Sequence, residues 1–278
     1  MTLKTLQLSK PDSLPEDCRV VCYHEQGTGE PLVFLHGVGM CFHAWEPQIA
    51  FFAKTHRVIA LNMPGHGGST PLPTGADLRD FVRWFGEILD ALDLEAVNLA
   101  GHSMGALIAG GFAITSPERV RRVALLNSVH RRTPEARKAV EERALRIAKG
   151  EMDVQGPLKR WFGQSEAEQS ARRRVKEWLE ALDPQGYAVT YSAFSKGDDV
   201  FADQWEQVTC PALFLTGEDD PNSTESMSRE MASAAVNGTA CVIRKHKHMV
   251  NLTAPDQVNA VMAEWLKEAV DQTEMEKA

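Results

Sequence analysis

The feature that most constrains this fold is an alternation of short apolar runs with longer amphipathic segments. The runs are rich in leucine and β-branched residues and apolar on both faces, which is typical of strands buried in a parallel sheet. Helical patterns separate them at 76–92, 104–115 and 255–270. Strands that alternate with helices need crossover connections, so the sequence predicts an α/β fold with a doubly wound, mostly parallel sheet. The predicted strands lie at 31–36, 57–61, 96–101, 120–126, 211–217 and 240–244, with an antiparallel edge strand at 18–24.

One interval, from 131 to 205, breaks this alternation. It has the pattern of successive helices without a strand: Pro134 begins a helix, and Gly150 and Gly156-Pro157 interrupt the pattern. A helical insertion between two strands predicts a cap over the carboxyl edge of the sheet, where open α/β sheets bind ligands. We therefore expect an α/β-hydrolase-like core formed by 1–130 and 206–278, and an inserted helical cap formed by 131–205.

The pentapeptide Gly101-His102-Ser103-Met104-Gly105 carries the strongest chemical signal. It follows a predicted buried strand and precedes an apolar helical pattern, which is the context of a nucleophile elbow. A strand that turns at once into a helix forces its apex residue into strained backbone angles, and the two glycines leave room for that turn. Ser103 is therefore the candidate nucleophile, close to the N–H groups that begin the helix.

With this motif the chain resembles the α/β-hydrolase fold family over nearly all of its length except the cap. The segment His36-Gly37-Val38-Gly39 matches the family's His-Gly loop. The resemblance implies that the backbone N–H groups of Val38 and Met104 form an oxyanion hole. The segment from Pro64 to Ser69 is similar to a family turn that usually follows an aspartate. Here the preceding position is Asn62, and we interpret the turn as structural.

The resemblance also implies an acid and a base downstream of Ser103, because a serine hydroxyl is too weakly acidic to attack alone. The family's Gly-x-x-Asp register selects Asp220 as the acid, with Glu218 and Asp219 as rivals. For the base, His248 precedes the apolar residues and the proline-initiated helix of the family pattern, whereas His246 is expected to face solvent. The order serine, aspartate, histidine is the one that this fold uses for its catalytic triad.

Several residues are candidates for contact with a small-molecule substrate. Trp45, Trp161 and Trp178 are predicted to line its cavity. The cap is rich in arginine, and such charges usually lie on solvated helix faces. The alternative is that one or two of these arginines face an anionic substrate. No phosphate-cradling loop or dinucleotide glycine fingerprint appears, and the histidines lack metal-ligand spacing, so we expect neither a cofactor nor a metal.

Charge and composition limit which other classes of partner are expected. The net charge of −8 argues against nucleic acid, because neutralising phosphates requires a basic surface. The longest apolar run, 104–114, is too short to cross a bilayer, so no membrane partner is expected. The five cysteines match no zinc or redox motif, and the N-terminus lacks the apolar stretch of a secretory signal. These features predict reduced thiols and a cytoplasmic location.

The leading functional hypothesis is hydrolysis of a small carboxylic ester or lactone through an acyl-serine intermediate. The segment 183–188 and the short helical cap are similar to bacterial enol-lactone hydrolases. An alternative is hydrolysis of a carbon–carbon bond in a ring-cleavage product, although relatives with that activity often carry asparagine where His102 stands. Two further classes stay open: a cofactor-free oxygenase or perhydrolase, and a ligand sensor on the same scaffold.

Overall fold

An eight-stranded sheet forms the centre of the computed structural model, which describes residues 1–8 and 19–270. The sheet order is β1-β2-β4-β3-β5-β6-β7-β8. β1 and β2 pair antiparallel, as do β2 and β4, and every other neighbouring pair is parallel. This confirms the predicted doubly wound, mostly parallel α/β sheet. The strands are β1 (Leu3–Leu8), β2 (Arg19–Gln26), β3 (Glu30–Leu35), β4 (His56–Leu61), β5 (Val97–His102), β6 (Val120–Leu126), β7 (Ala212–Gly217) and β8 (Gly238–Ile243).

The antiparallel edge of the sheet differs from the sequence prediction. β2 is not the edge strand, because β1 pairs with it from Leu3 opposite His24 to Leu8 opposite Arg19. Most of β1 is exposed, so it lacks the apolar pattern that identified the buried strands. Cys18, which the predicted strand included, lies outside the described residues.

Within the described residues, ten α-helices either flank the sheet or belong to the insertion between β6 and β7. The N-terminus of the second helix has a capping box, in which the Asp77 side chain accepts from the Asp80 N–H and the Asp80 side chain accepts from the Asp77 N–H. None of the helices described has the length and apolar character needed to cross a bilayer. The helices are α1 (Glu46–Phe52), α2 (Leu78–Ala91), α3 (Met104–Thr115), α4 (Pro134–Ala148), α5 (Gln155–Trp161), α6 (Glu166–Glu180), α7 (Pro184–Ser195), α8 (Glu225–Ala234), α9 (Val250–Thr253) and α10 (Pro255–Trp265).

Successive side chains of β3 enter two different apolar layers. Leu32 and Phe34 pack on one face of the sheet with residues of α1 and α10. Val33 and Leu35 pack on the other face with residues of α2, α3 and α8. Because both faces of the strand are covered, its sequence is continuously apolar instead of alternating.

The helices α4 to α7 lie between β6 and β7 in the chain, within the interval predicted as a cap. The Arg131 N–H donates to the Asp198 carbonyl at 3.0 Å, and the Arg132 guanidinium pairs with the Asp198 carboxylate at 2.8 Å. The two ends of the helical insertion therefore meet at one buried ion pair. α7 packs on the core, where a Cβ atom on Gly65 would lie 2.5 Å from the Gly186 Cα. The bounds 131–205 stay a prediction.

Candidate active site

Ser103 occupies the turn between β5 and α3 in a strained backbone conformation. Its φ of 54° lies in a region that residues other than glycine rarely adopt. The Ser103 N–H donates to the Leu126 carbonyl at 2.9 Å, which fixes the turn to the end of β6. A Cβ atom on Gly101 would lie 2.1 Å from the Gly105 carbonyl oxygen, and one on Gly105 would lie 2.2 Å from that of Leu35. Both motif glycines are therefore required by close backbone contacts.

Asp220 and His248 form a buried pair at the carboxyl edge of the sheet. His248 Nδ1 lies 2.7 Å from Asp220 Oδ2, and the two side chains are 4% and 0% exposed. The Asn127 amide donates to the same oxygen at 2.8 Å, and the Asn222 N–H donates to Oδ1 at 2.8 Å. Burial acts to raise the pKa of Asp220, but the charge of His248 and these hydrogen bonds lower it overall. An ionised Asp220 can hold the imidazole with Nδ1–H towards it, which leaves Nε2 for proton transfer.

The rival residues have other contacts. Glu218 and Asp219 are exposed, and Glu218 accepts from the Lys245 N–H at 3.0 Å. His246 Nδ1 lies 3.0 Å from the hydroxyl of Thr253. The histidine that contacts a buried carboxylate in this region is His248.

The candidate oxyanion donors are the backbone N–H of Val38, in the loop after β3, and that of Met104, which directly follows Ser103. Met104 begins α3, and the first N–H groups of a helix have no partner inside the helix. Within the described residues, neither N–H has a hydrogen-bond acceptor. Two such free donors beside a nucleophile are able to bind a developing oxyanion.

Two neutral histidines hold the loop that contains Val38. His36 accepts from the Met63 N–H at Nε2 and donates from Nδ1 to the Gly37 carbonyl at 2.8 Å. His66 Nε2 accepts from the Gly39 N–H at 2.9 Å. Burial lowers the pKa of His66 to about 4 and that of His36 well below its ordinary value, so both rings stay neutral near pH 7. These bonds fix the backbone on either side of Val38.

Ser103 and His248 line a cavity of about 290 Å³ that also borders the cap. Three arginines line the same cavity, and none of the described residues that line it is acidic. The arginines are Arg132, Arg143 and Arg160. Among the described residues, no group of three or more histidine, cysteine or acidic side chains is arranged to hold a metal ion.

Two of these arginines have no carboxylate partner among the described residues. Arg143 donates to the Tyr191 hydroxyl at 3.0 Å, and its buried Nε has no acceptor there. Arg160 forms no ion pair within the same residues, and burial together with the charge of Arg143 lowers its pKa. Arg132 pairs with Asp198, but its buried Nη2 lacks an acceptor in the described part of the chain. This cationic wall can bind an anion, because guanidinium groups pair well with carboxylates.

Only one of the three predicted tryptophans borders this cavity. Trp161 lines it and stacks on the imidazole of His248, with ring centroids 5.7 Å apart and an interplanar angle of 28°. The prediction for Trp45 is wrong, because its side chain is fully buried in the core and stacks on Phe34 at 4.6 Å. Trp178 does not line this cavity either; it lines a different cleft, beside Cys41.

Three residues of this region were not assigned a role from the sequence. Asn127 was considered only as a position that lacks a carboxylate, yet it donates to Asp220. His102 Nε2 donates to the carbonyl oxygen of His248 at 2.8 Å, and His66 supports the loop of Val38. The available signal for Asn127 was its position at the end of β6, since the carboxyl ends of parallel strands meet at one edge.

A family model described as alpha/beta hydrolase fold matches residues 30–255. The chain is also similar to (E)-2-((N-methylformamido)methylene)succinate hydrolase of Acinetobacter baylyi. The two are 53% identical over 267 residues, which cover 96% of this chain and 99% of the relative.

Solved structures of low sequence identity share the fold. A thermophilic esterase from Thermogutta terrifontis aligns with a TM-score of 0.85 and 21% identity, over 95% of this chain and 98% of that one. The enol-lactonase from Burkholderia xenovorans aligns with a TM-score of 0.82 and 24% identity, over 90% and 97% of the two chains. At these identities the likeness concerns architecture alone.

Proposed function

Because the chain belongs to the α/β-hydrolase fold family, we propose that it cleaves an amide bond in a small open-chain dicarboxylate through an acyl-serine intermediate on Ser103. The observation that carries this proposal is the cavity itself, which contains Ser103 and His248 together with three arginines and no acidic residue among those described. The relative that is 53% identical over nearly its whole length is named for a substrate of this kind.

The bond type follows from the name of that relative's substrate. It describes a succinate, which has two carboxylates, with an N-methylformamido group on an unsaturated methylene carbon. This is an open-chain unsaturated acid with an amide and no ester. The ester or lactone hypothesis is therefore less well supported than its alternative, hydrolysis of a carbon–carbon bond in a ring-cleavage product. Because the substrate named for the relative carries an amide, we propose cleavage of the carbon–nitrogen bond in place of a carbon–carbon bond.

The reaction divides into two steps at one serine. The Ser103 oxygen attacks the amide carbonyl carbon while His248 takes the hydroxyl proton, and Asp220 stabilises the imidazolium. The N–H groups of Val38 and Met104 bind the oxyanion. His248 then gives its proton to the leaving nitrogen as the carbon–nitrogen bond breaks. Water attacks the acyl-serine with His248 again as base, releases the carboxylic acid and restores the serine.

Arg143 and Arg160 are proposed to recognise the carboxylates of the substrate. Both line the cavity, and neither forms an ion pair with a carboxylate among the described residues, although the charge of Asp153 acts on Arg160 at longer range. Charged hydrogen bonds between guanidinium and carboxylate are shorter and stronger than neutral ones. A neutral substrate leaves these charges without a counter-ion in the cavity, so the site favours a dianion.

The experiment that tests this proposal measures formate release from (E)-2-((N-methylformamido)methylene)succinate. We expect Ser103→Ala to lower kcat by about 10³-fold or more, because the covalent route is lost. Ser116→Ala, just after the opposite end of α3, is the matched control and should retain the wild-type rate. Full activity in Ser103→Ala would refute the serine mechanism, and no formate from wild type would refute the substrate class.

The acid and the base have neighbours of the same type that serve as controls. His248→Ala and Asp220→Asn should both be severely impaired. His246→Ala and Asp219→Asn should retain most activity, because neither residue takes part in the buried pair. The reverse result in either comparison would mean that the residue assignment is wrong.

A further inference from the structure

We propose that Trp161 is a positioning residue for the base, and that it couples anion binding in the cap to proton transfer at His248. The inference rests on the proposed role of His248 as general base. It starts from the stacked contact between the two rings, whose centroids lie 5.7 Å apart. Trp161 belongs to the cap helix α5, whereas His248 follows β8 in the core. The contact therefore joins the two parts of the molecule at the reacting group.

The imidazole of His248 has one aromatic neighbour from the core and one from the cap. On the core side, the His102 ring centroid is 5.0 Å away, and His102 Nε2 donates to the His248 carbonyl. Burial lowers the pKa of His102 to about 3, so this ring is a neutral, fixed support. On the cap side, the support is Trp161. The orientation of the base thus depends on where the cap holds the indole.

Apolar packing fixes the indole on the catalytic loops. Trp161 is 9% exposed and belongs to a cluster that includes Leu158, Val175 and Leu179 of the cap. The same cluster includes Met249, which directly follows the base, and Met40, whose N–H donates to the Gly37 carbonyl at 3.1 Å. The cap side chains therefore pack against the loop of the base and the loop of the oxyanion hole together.

The neighbour of Trp161 in α5 is Arg160, which lines the same cavity. A carboxylate bound by Arg160 restrains the last turn of α5, and with it the indole that covers His248. The face of an indole carries negative electrostatic potential and favours a cation above it. The imidazolium that forms when Ser103 attacks is such a cation. Two consecutive residues therefore have linked roles: Arg160 binds the substrate carboxylate, and Trp161 stabilises the protonated His248.

The kinetic test compares Trp161→Phe, which keeps an aromatic face, with Trp161→Leu, which keeps only apolar bulk. We expect Trp161→Leu to lower kcat by about 3- to 10-fold, in line with the energy of one aromatic pair, and Trp161→Phe to recover most of that loss. Because the base acts on every substrate, the fall should appear with p-nitrophenyl acetate as well as with the dicarboxylate. Phe51→Leu, at an exposed position of α1 and outside this cluster, is the control for loss of an aromatic ring.

A spectroscopic test needs no turnover. Because the indole of Trp161 contacts the imidazole of His248, His248→Ala should change the tryptophan emission of the protein. The same His248→Ala change made in the Trp161→Phe background should leave the emission almost unaltered. A change of equal size in both backgrounds would overturn the proposal. So would a Trp161→Leu variant whose KM rises while its kcat stays at the wild-type value. Failure of the proposed function would appear separately, as hydrolysis retained by Ser103→Ala.

Discussion

Asn127 donates its side-chain amide to Oδ2 of Asp220 at 2.8 Å, the same oxygen that lies 2.7 Å from His248 Nδ1. Asn127 is fully buried at the end of β6, and its φ of 50° is unusual for a residue other than glycine. Its own N–H donates to the Leu215 carbonyl at 2.7 Å. The neutral amide of Asn127 is thus held in place beside Asp220, where it restrains the carboxylate without adding a charge.

The substitution Asn127→Asp should make the enzyme fail on the acidic side of its pH range. It places a second carboxyl group against Asp220, and two such groups cannot both ionise easily, so one of their pKa values rises strongly. We expect the acidic limb of the kcat/KM profile to move to higher pH. Asn127→Ala removes the donor that helps to lower the pKa of Asp220 but adds no charge, so it should lower kcat and move that limb in the same direction by a smaller amount. Superimposable profiles for the two variants would contradict this account.

Removing one cap arginine should weaken the binding of anionic substrates selectively. For Arg160→Gln we expect KM for the dicarboxylate to rise about 10- to 100-fold, the equivalent of one hydrogen bond to a charged group. Hydrolysis of p-nitrophenyl acetate, which has no carboxylate, should be almost unchanged. Arg173→Gln, on an exposed position of α6, is the control for a change of overall charge. Equal losses with both substrates would point to a structural role for Arg160.

The carboxylate of Asp198 should contribute more to stability than that of its neighbour. Asp198 is buried and accepts from Arg132 at 2.8 Å and from Arg137 at 2.9 Å. Asp198→Asn leaves a buried guanidinium unpaired and should lower the free energy of unfolding by about 3 kcal/mol. Asp199 is 51% exposed and pairs with Arg137, so Asp199→Asn should cost less than about 1 kcal/mol. Urea denaturation of the two variants measures the difference, and similar midpoints would argue against it.

Stability should fall as the pH is lowered from about 6.5 to 4, partly because of His66. Burial lowers the pKa of His66 to about 4 in the folded protein, against 6.5 for an unperturbed side chain. Between these values the unfolded chain takes up a proton that the folded chain does not, so the full stability is present only above the upper value. Each such proton contributes about 1.4 kcal/mol per pH unit.

The variant His66→Gln isolates this contribution. Glutamine can still accept from the Gly39 N–H, but it does not titrate. The free energy of unfolding of the variant should therefore depend less steeply on pH than that of wild type, by about one proton near pH 5. Equal slopes would mean that His66 does not supply this pH dependence. The remaining slope is expected to include His36 and His102, whose pKa values burial also lowers.

The six strands β3 to β8 were predicted from their apolar runs. In β3 to β7 these runs reflect burial on both faces, whereas β8 lies at the edge of the sheet and is mostly half-buried. β1 left no such signal, since its residues are mostly exposed and its position depends on pairing with β2. Local motifs likewise placed Ser103 at a strained elbow, because the requirement for Gly101 and Gly105 is itself local and steric.

The residues whose positions or roles were not predicted correctly from the sequence are placed by contacts between distant segments. A tryptophan side chain favours burial wherever it lies, so nothing local distinguished Trp161, beside the cavity, from Trp45, in the core. Asn127 and Asp220 are far apart in the chain and meet only because β6 and β7 are neighbours in the sheet. The pairing of Trp161 with His248 likewise requires the cap to be folded onto the core.

The meeting of Arg132 and Asp198 at the base of the cap also has an evolutionary consequence. An insertion that leaves and rejoins the main chain at one point can be exchanged as a module, because its length does not alter the spacing of the strands beside it. Substrate range can then diversify by replacement of the segment between these two residues while the hydrolytic centre is inherited intact. A foreign segment grafted here would have to restore the packing of the cap on the core, including an aromatic ring against the imidazole of His248.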